Sequence, residues 1–326
     1  MAGVDRDCVY GRTLQQIKEQ KGDLPRLGMG VLMWVSHAER PLRINELCHA
    51  LAVDVEATDL DPKDIPLKDT VLGSCLGLVI VDKETSVVRL IHHTLREYLS
   101  QPWILPGAHK VLGETCLAYL NYDQVKGLPV DSVEDYGQMP FLRYSSVYWG
   151  AHAKIELSDR AKILALELLN EYQKHISFAF FSRAKWPGSR SNTRGFTGLH
   201  CASYFGVEAV VAALIEMKCW DINQADTMMY TPLMWAVRRG NHGAARVLLS
   251  CDGIEPDKPA VYDQTPLIWA SENADEEMVK ILLRGGANPN EKNYWDRTPL
   301  MEASSSRRMN IVALLQPHTT AISNLD

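Results

Sequence analysis

Thr197-Gly198-Leu199-His200, Thr231-Pro232-Leu233-Met234, Thr265-Pro266-Leu267-Ile268 and Thr298-Pro299-Leu300-Met301 recur at spacings of 34, 34 and 33 residues. Paired aliphatics follow the first three, at Ala213-Leu214-Ile215, Val247-Leu248-Leu249 and Ile281-Leu282-Leu283. A fixed period in this range marks a repeat array, in which each unit buries its apolar face only against a neighbour. Within each unit the residue types fit a helix pair. The Thr caps a first helix, and Pro occupies the first helical turn, where a missing N–H costs nothing. Leu and the small Ala202, Ala236, Ala270 and Ala303 let neighbouring pairs stack closely. Gly206 and Gly240 suit a left-handed turn into the second helix.

The third unit continues as Arg284-Gly285-Gly286-Ala287-Asn288-Pro289-Asn290. With that continuation the four units resemble the ankyrin repeat, whose pattern reads T-P-L-H-x-A-A-x-x-G-H, then a leucine pair, then G-A-D-x-N. The resemblance implies a solenoid of about four repeats over residues 186–326. Three departures stand out. Only the first repeat keeps the motif His, as His200, so the inter-repeat hydrogen bonding it supplies is expected to be missing later. Ala274 and Ser306 stand near the expected turn glycine. After Ile311-Val312-Ala313-Leu314-Leu315 comes Gln316-Pro317-His318, with no polar capping repeat of the kind solenoids need. Either the tail improvises a cap or the chain is shorter than its ancestor.

Ahead of the repeats the pattern changes. Leu27, Val31, Leu32, Val35 and Ala38 form a helical stripe, broken by Arg40-Pro41-Leu42; Ile44, Leu47, Cys48 and Leu51 form a second. Leu67 to Leu76 reads as a third helix closed by Gly77. The β-branched runs 78–81 and 87–91 flank Asp82-Lys83-Glu84-Thr85-Ser86, a hairpin by composition, and a helix at 92–100 follows. Three helices and a β-wing predict a winged-helix domain at 26–101, behind a leading helix at 1–25. Amphipathic helices at 107–121, 139–155 and 159–176, the last capped by Ser158, predict a helical connector at 102–185. Trp186-Pro187-Gly188-Ser189-Arg190-Ser191-Asn192 reads as the flexible join to the repeats. The expected class is mainly α.

The stretch Val31-Leu32-Met33-Trp34-Val35-Ser36-His37-Ala38-Glu39-Arg40-Pro41-Leu42-Arg43-Ile44-Asn45-Glu46-Leu47, then Cys75-Leu76-Gly77-Leu78-Val79, then Arg89-Leu90-Ile91-His92, resembles the winged-helix module behind the NACHT ATPase of fungal NACHT–ankyrin proteins. Those are NLR-like members of the STAND class of signalling ATPases. Residues 140–153 are similar to the helical stretch leading into their ankyrin repeats. The resemblance implies that His92 is a vestigial nucleotide sensor, because a His at the end of this domain senses nucleotide phosphates in STAND ATPases. Here His93 stands where an Asp is usual. No G-x-x-x-x-G-K-[ST] occurs, and Gly28-Met29-Gly30 lies inside a helical stripe, so the sequence holds no loop to cradle phosphates. A structural, hydrogen-bonding His92 is the expectation, with sensing in trans as the alternative.

Composition narrows the remaining classes. The 326 residues are 46% hydrophobic and 23% charged, and no apolar run approaches the ~18–20 residues a membrane-spanning helix needs. The N-terminal residues show no apolar signal segment, and seven widely spaced Cys without a C-x-x-C argue against a disulfide framework. The cytoplasm is the expected location, with the nucleus open to it. Residues 44–76 hold Lys63 and Lys68 against Glu46, Asp54, Glu56, Asp59, Asp61, Asp64 and Asp69, a surplus of negative charge that would repel a phosphate backbone. A DNA-binding transcriptional regulator is therefore the weaker alternative. No H-E-x-x-H or G-x-S-x-G occurs, and Gly73-Ser74-Cys75-Leu76-Gly77 has its Ser one position early. No enzyme activity, cofactor, metal or small-molecule substrate is implied.

What remains is recognition of another protein. In the resembled fold the turn tips and the exposed inner-helix positions form a concave face. Those positions are Thr227, Met228, Tyr230, Arg238 and Arg239, then Val261, Tyr262, Gln264, Glu272 and Asn273, then Tyr294, Trp295 and Arg297. Tyr, Trp, Met and Arg are the residues of interface anchors. The competing reading has Tyr262, Tyr294 and Trp295 merely packing neighbouring turns, and Trp235 and Trp269 reading as inter-repeat core. The functional expectation is a non-enzymatic scaffold recognising a partner through the ankyrin face. The alternative is a regulatory subunit or fragment of a nucleotide-driven NLR-like switch acting with a separate NACHT ATPase.

Overall fold

Proline and threonine set the rhythm of the chain, and the computed structural model follows it through residues 3–130, 137–186 and 195–319. Two compact units emerge. One comprises the described residues up to Leu164 together with Lys174–Lys185; the other comprises Ala165–Gln173 together with those from Trp186 onward.

In the first unit α1 (Gly3–Lys18) precedes α2 (Leu24–His37), which carries Pro25 in its first turn and buries Val31, Leu32 and Trp34. Gly28 and Gly30 lie inside α2, as the stripe predicts. Before α3 (Ile44–Ala52), Glu46 accepts the Arg43 N–H at 2.8 Å and both arms of the Arg40 fork at 2.8 and 2.7 Å. This buried, bidentate pair fixes the entry of the helix. After α4 (Lys68–Ser74), strands β1 (Val79–Val81) and β2 (Val88–Leu90) pair antiparallel in the register Val79↔Leu90, Ile80↔Arg89 and Val81↔Val88. Asp82 holds the turn between them by accepting from the backbone of Glu84 and Thr85. The segment before α3 adds a third rung, since Val88 N–H donates to Leu42 and Ile44 N–H to Ser86, both at 2.9 Å. Helix α5 (His93–Leu99) closes the winged helix.

The elements that follow share its core. Helices α6 (Ala108–Asn121), α7 (Asp123–Lys126) and α8 (Leu142–Ile155) follow; Tyr144 of α8 and Phe141 at its start lie edge-on to Trp34 at 5.6 and 5.3 Å, and Tyr119 of α6 lies edge-on to Phe141 at 5.2 Å. The expected single helix at 159–176 divides into α9 (Asp159–Asn170) and α10 (Ile176–Lys185), separated by a 3₁₀ turn at Tyr172–Lys174. His175 is the reason. Its Nδ1 takes the Ser177 N–H at 3.1 Å and pairs with the Ser177 hydroxyl at 2.7 Å, while Nε2 meets the Leu120 carbonyl at 3.0 Å, so the imidazole starts a new helix. Ser158 caps α9 as expected, accepting the Ala161 N–H at 3.0 Å.

The second unit stacks four helix pairs: α11 (Gly198–Phe205) with α12 (Glu208–Glu216), α13 (Pro232–Arg238) with α14 (His242–Leu249), α15 (Pro266–Glu272) with α16 (Glu276–Arg284), and α17 (Pro299–Ser305) with α18 (Met309–Leu315). Thr231, Thr265 and Thr298 each accept the N–H three residues on, at 3.1–3.3 Å. The first repeat has Gly198 where the others have Pro because the Leu169 carbonyl sits where a side chain would be. His200 joins repeats as expected, pairing with Thr197 through Nδ1 and with the Gln224 and Tyr230 carbonyls through Nε2 at 3.0 and 3.2 Å.

Two departures read differently in three dimensions. The repeats without that His still bond to one another. His242 of the second repeat meets Asp275 of the third at 2.8 Å, and Asn310 of the fourth donates to Glu276 of the third at 2.7 Å, while Asn241 reinforces the His200 junction by donating to the Ser203 and Tyr204 carbonyls at 2.8 Å beneath the left-handed Gly206. The fourth left-handed turn residue is Arg307 rather than Ser306, which keeps φ −85°; Arg307 follows Thr298 by the same interval at which Gly206, Gly240 and Ala274 follow their own capping Thr. Trp186, expected in a flexible join, has its ring 5.4–5.5 Å from those of Phe196 and Trp235, while residues 187–192 of that join lie outside the described residues.

Burial holds three imidazoles neutral. His152, between Tyr144 and His109, is pushed down to about 3 by desolvation and by the neighbouring His109 and His37; His175 and His200 are pushed down to about 4 by desolvation. The unfolded chain therefore binds protons before the folded one as pH falls through 6.5. Stability present above that pH is lost down to about pH 4, by about 1.4 kcal/mol per pH unit for each imidazole. Urea unfolding between pH 7 and 4.5 should show a falling midpoint, and a shallower fall in the His152→Gln variant; a flat profile would contradict the neutral, buried assignment.

Candidate functional site

A finger that reverses the chain between repeats must satisfy its own N–H groups and turn through a left-handed residue. In the second repeat Asp226 does most of this. Its Oδ1 accepts from the Met228 and Tyr230 N–H groups at 2.8 and 2.9 Å, and its Oδ2 from the indole N–H of Trp235 at 2.8 Å. Burial raises the carboxyl's proton affinity against those bonds. Met229 supplies the left-handed position, at φ 57°. In the fourth repeat Asn293 has the same task, accepting from the Trp295 and Arg297 N–H groups and donating to Glu302, with Asp296 left-handed at 61°.

The third finger has Ala260 in that position and no side chain to offer. It turns through two consecutive left-handed residues, Tyr262 at φ 62° and Asp263 at 53°. A bulky residue in this region costs of order 1–3 kcal/mol, and such strain collects at functional sites. The neighbouring finger steadies it, since the Tyr294 N–H donates to the Tyr262 carbonyl at 2.9 Å.

On these turns the side chains gather into two clusters. Tyr262, Tyr294 and Trp295 touch edge-on or tilted, with centroids 5.5–6.4 Å apart, yet remain 62%, 71% and 58% exposed. Packing against each other thus accounts for only part of their surface. In the second cluster the Arg238 guanidinium lies 4.4 Å from the Tyr230 ring, 4.3 Å from Trp269 and 5.6 Å from Trp235; Arg239 lies 4.7 Å from Tyr204. Trp235 is buried as core, whereas Trp269 is half-buried beneath Arg238.

The other candidates divide. Thr227, Met228 and Val261 are exposed at the tips. Gln264 donates to Glu272 at 2.9 Å, Asn273 to its own helix at Trp269, and Arg297 pairs with Glu302 at 3.0 Å. His92 belongs to the first unit, where it is exposed, caps α5 by accepting the Thr94 N–H at 3.2 Å, and stacks on His93 at 4.2 Å. Sequence reasoning missed Asp226, Met229 and Tyr204. The repeat register could have exposed Asp226, because Asp226, Ala260 and Asn293 each stand five residues before the capping Thr. Among the described residues no His, Cys, Asp and Glu group could hold a metal, and no helix is long and apolar enough to cross a membrane.

The fold and this face define a mainly α protein that joins a winged-helix domain to ankyrin repeats, and comparison with known proteins agrees. Residues 16–103 match the family described as GPI inositol-deacylase, winged helix domain, and residues 165–260 and 255–325 match that described as Ankyrin repeats (3 copies). The chain is similar to the azaphilone pigments biosynthesis cluster protein L of Monascus ruber, 26% identical over 180 residues, 49% of this chain and 37% of that protein. It is also similar to neurogenic locus notch homolog protein 1 of Danio rerio, 32% identical over 102 residues, 31% of this chain and 4% of that one. A putative ankyrin repeat-containing protein of Treponema pallidum (strain Nichols) is 30% identical over 109 residues, 33% of this chain and 36% of that protein. The alignments thus span little more than a third of two relatives and a small part of the other.

The two ways of building a finger differ in their response to mutation. Asp226→Ala leaves the buried Trp235 indole and two turn N–H groups without their acceptor and should cost about 2–4 kcal/mol in urea unfolding. Tyr262→Gly removes an exposed ring and relieves the backbone, so it should leave stability unchanged or raise it by up to ~1 kcal/mol. A Tyr262→Gly loss above ~1.5 kcal/mol would make Tyr262 a packing residue instead.

Proposed function

We propose that the chain is a non-enzymatic protein-interaction scaffold that holds a protein partner on the concave face of its ankyrin repeats. The exposed cluster of Tyr262, Tyr294 and Trp295 carries this reading, since large aromatic area is kept in water at the tips of two fingers and one ring sits on a strained backbone. Such side chains give much contact area for little conformational entropy, which is why they dominate interface hot spots. The ankyrin-repeat relatives support a role in protein–protein contact, and the winged-helix unit serves as scaffold or docking surface.

The test is a pulldown of endogenous partners with wild-type protein beside a Tyr262→Ala/Tyr294→Ala/Trp295→Ala variant whose circular dichroism matches. Loss of a specific partner from the folded variant is the expected outcome. An unchanged set of partners would move the function to the winged-helix unit.

A finer reading makes the chain part of an NLR-like, STAND-class switch acting with a separate NACHT ATPase. The exposed His92 ring, oriented by its 2.7 Å contact with the Thr94 hydroxyl, favours it. Co-elution with a separately produced NACHT domain should then depend on whether ATP or ADP is present and weaken in His92→Ala; nucleotide-independent behaviour would remove this reading.

A further inference from the structure

Arg238 ends α13 and Arg239 caps it, in a chain whose formal net charge is −6. Their environment differs from that of Arg297 on the same face, which is neutralised by Glu302 and also donates to the Met301 carbonyl. Neither the Arg238 nor the Arg239 side chain donates a hydrogen bond or has a carboxylate within ion-pair distance among the described residues, although Arg238 feels the charge of Asp226 through space. The two guanidinium groups lie over aromatic rings instead, Arg238 over Tyr230 and Trp269 at 4.4 and 4.3 Å and Arg239 over Tyr204 at 4.7 Å.

Ring stacking uses the face of a guanidinium and leaves its edge, where the N–H donors lie. It also removes much of the rotamer freedom that a surface arginine would lose on binding, so the donors are held ready. The nearby anions are already engaged. Asp226 spends its oxygens on two backbone N–H groups and the Trp235 indole, and Glu272 accepts from Gln264. Arg239 is exposed and Arg238 half-buried, in the repeat before the two fingers that carry the aromatic cluster; planar oxyanions are what guanidinium forks fit.

We infer that the segment held by this face is acidic: an extended stretch of a partner protein whose Asp or Glu side chains pair with Arg238 and Arg239, with an apolar side chain on Tyr262, Tyr294 and Trp295. This inference rests on the reading of the concave face as the recognition surface and names the chemistry of its partner. Charge complementarity selects the occupant, because Arg238 and Arg239 have no carboxylate within ion-pair distance while the nearby Asp226 and Glu272 already accept hydrogen bonds.

A random 16-residue display library panned on the whole chain tests it. Selected peptides should be enriched in Asp and Glu. Fluorescence anisotropy of a labelled selected peptide should show binding that weakens at least ~5-fold between 50 and 300 mM NaCl. It should weaken ~10-fold or more in Arg238→Glu/Arg239→Glu, checked for folding by circular dichroism. Arg239→Glu alone, at an exposed position outside the Tyr230–Trp269 stack, should act in the same direction if the double variant unfolds. Peptides without acidic bias, acidic peptides bound equally by the variants, or no enrichment at all would each overturn the inference. If the triple aromatic variant still loses those peptides, the concave reading survives the loss of the acidic one; if that variant binds them unchanged, both fail.

Discussion

Every side chain offered on the repeat face depends on how the finger beneath it satisfies its backbone N–H groups. A loop that doubles back in a few residues cannot use helix or sheet ladders, so a side chain, water or strain must make good the difference. Asp226 and Asn293 do so with a single oxygen accepting two N–H groups. Their fingers are templated, and the tip residues above them vary without changing the turn. The Ala260 finger lacks that template and takes two left-handed residues instead, at the tip where the aromatic cluster begins. Of the three exposed rings, Tyr262 sits on the strained finger and Tyr294 and Trp295 on the one held by Asn293.

The same economy governs the stacking of repeats. Each helix pair meets only its neighbours, so the interface between pairs sets local stability. His200 and Asn241 bond the first repeat to the second, while the His242–Asp275 pair and the Asn310–Glu276 bond serve the later junctions, where Met234 and Ile268 replace the motif His. Moving these bonds to the second helix leaves Met234 and Ile268 fully buried as apolar core, exchanging a polar contact for a hydrophobic one at the same position.

Local pattern was legible in the sequence, and long-range placement was not. The Thr-Pro-Leu period, the helical stripes and the hairpin between β1 and β2 follow from residues within a turn or two of each other, so they could be read directly. The division of α9 from α10 could not, because His175 acts through the Leu120 carbonyl, more than fifty residues away in sequence. Trp186 looked like linker because Pro187-Gly188-Ser189 follow it, yet its ring packs against Phe196 and Trp235. At the candidate face the exposed positions followed from repeat register. The register did not say which cations were already neutralised, since the Glu302 partner of Arg297 and the rings under Arg238 are set by packing across turns and repeats.

That difference has a physical origin in the helix below. In the fourth repeat Glu302 stands one turn inside α17, where it can reach both Arg297 and Asn293. The corresponding residues in the second and third repeats are Trp235 and Trp269. An aromatic ring there cannot neutralise a guanidinium, but it can hold one by its face. Arg297 precedes its capping Thr, where the second repeat has Tyr230, whereas Arg238 stands seven residues after Thr231, so the indoles meet a cation from another position of the repeat. The finger residue changes with this position, since Asp226 accepts from the Trp235 indole where Asn293 donates to Glu302. Finger and helix therefore vary as a pair, each pair satisfying its own hydrogen bond.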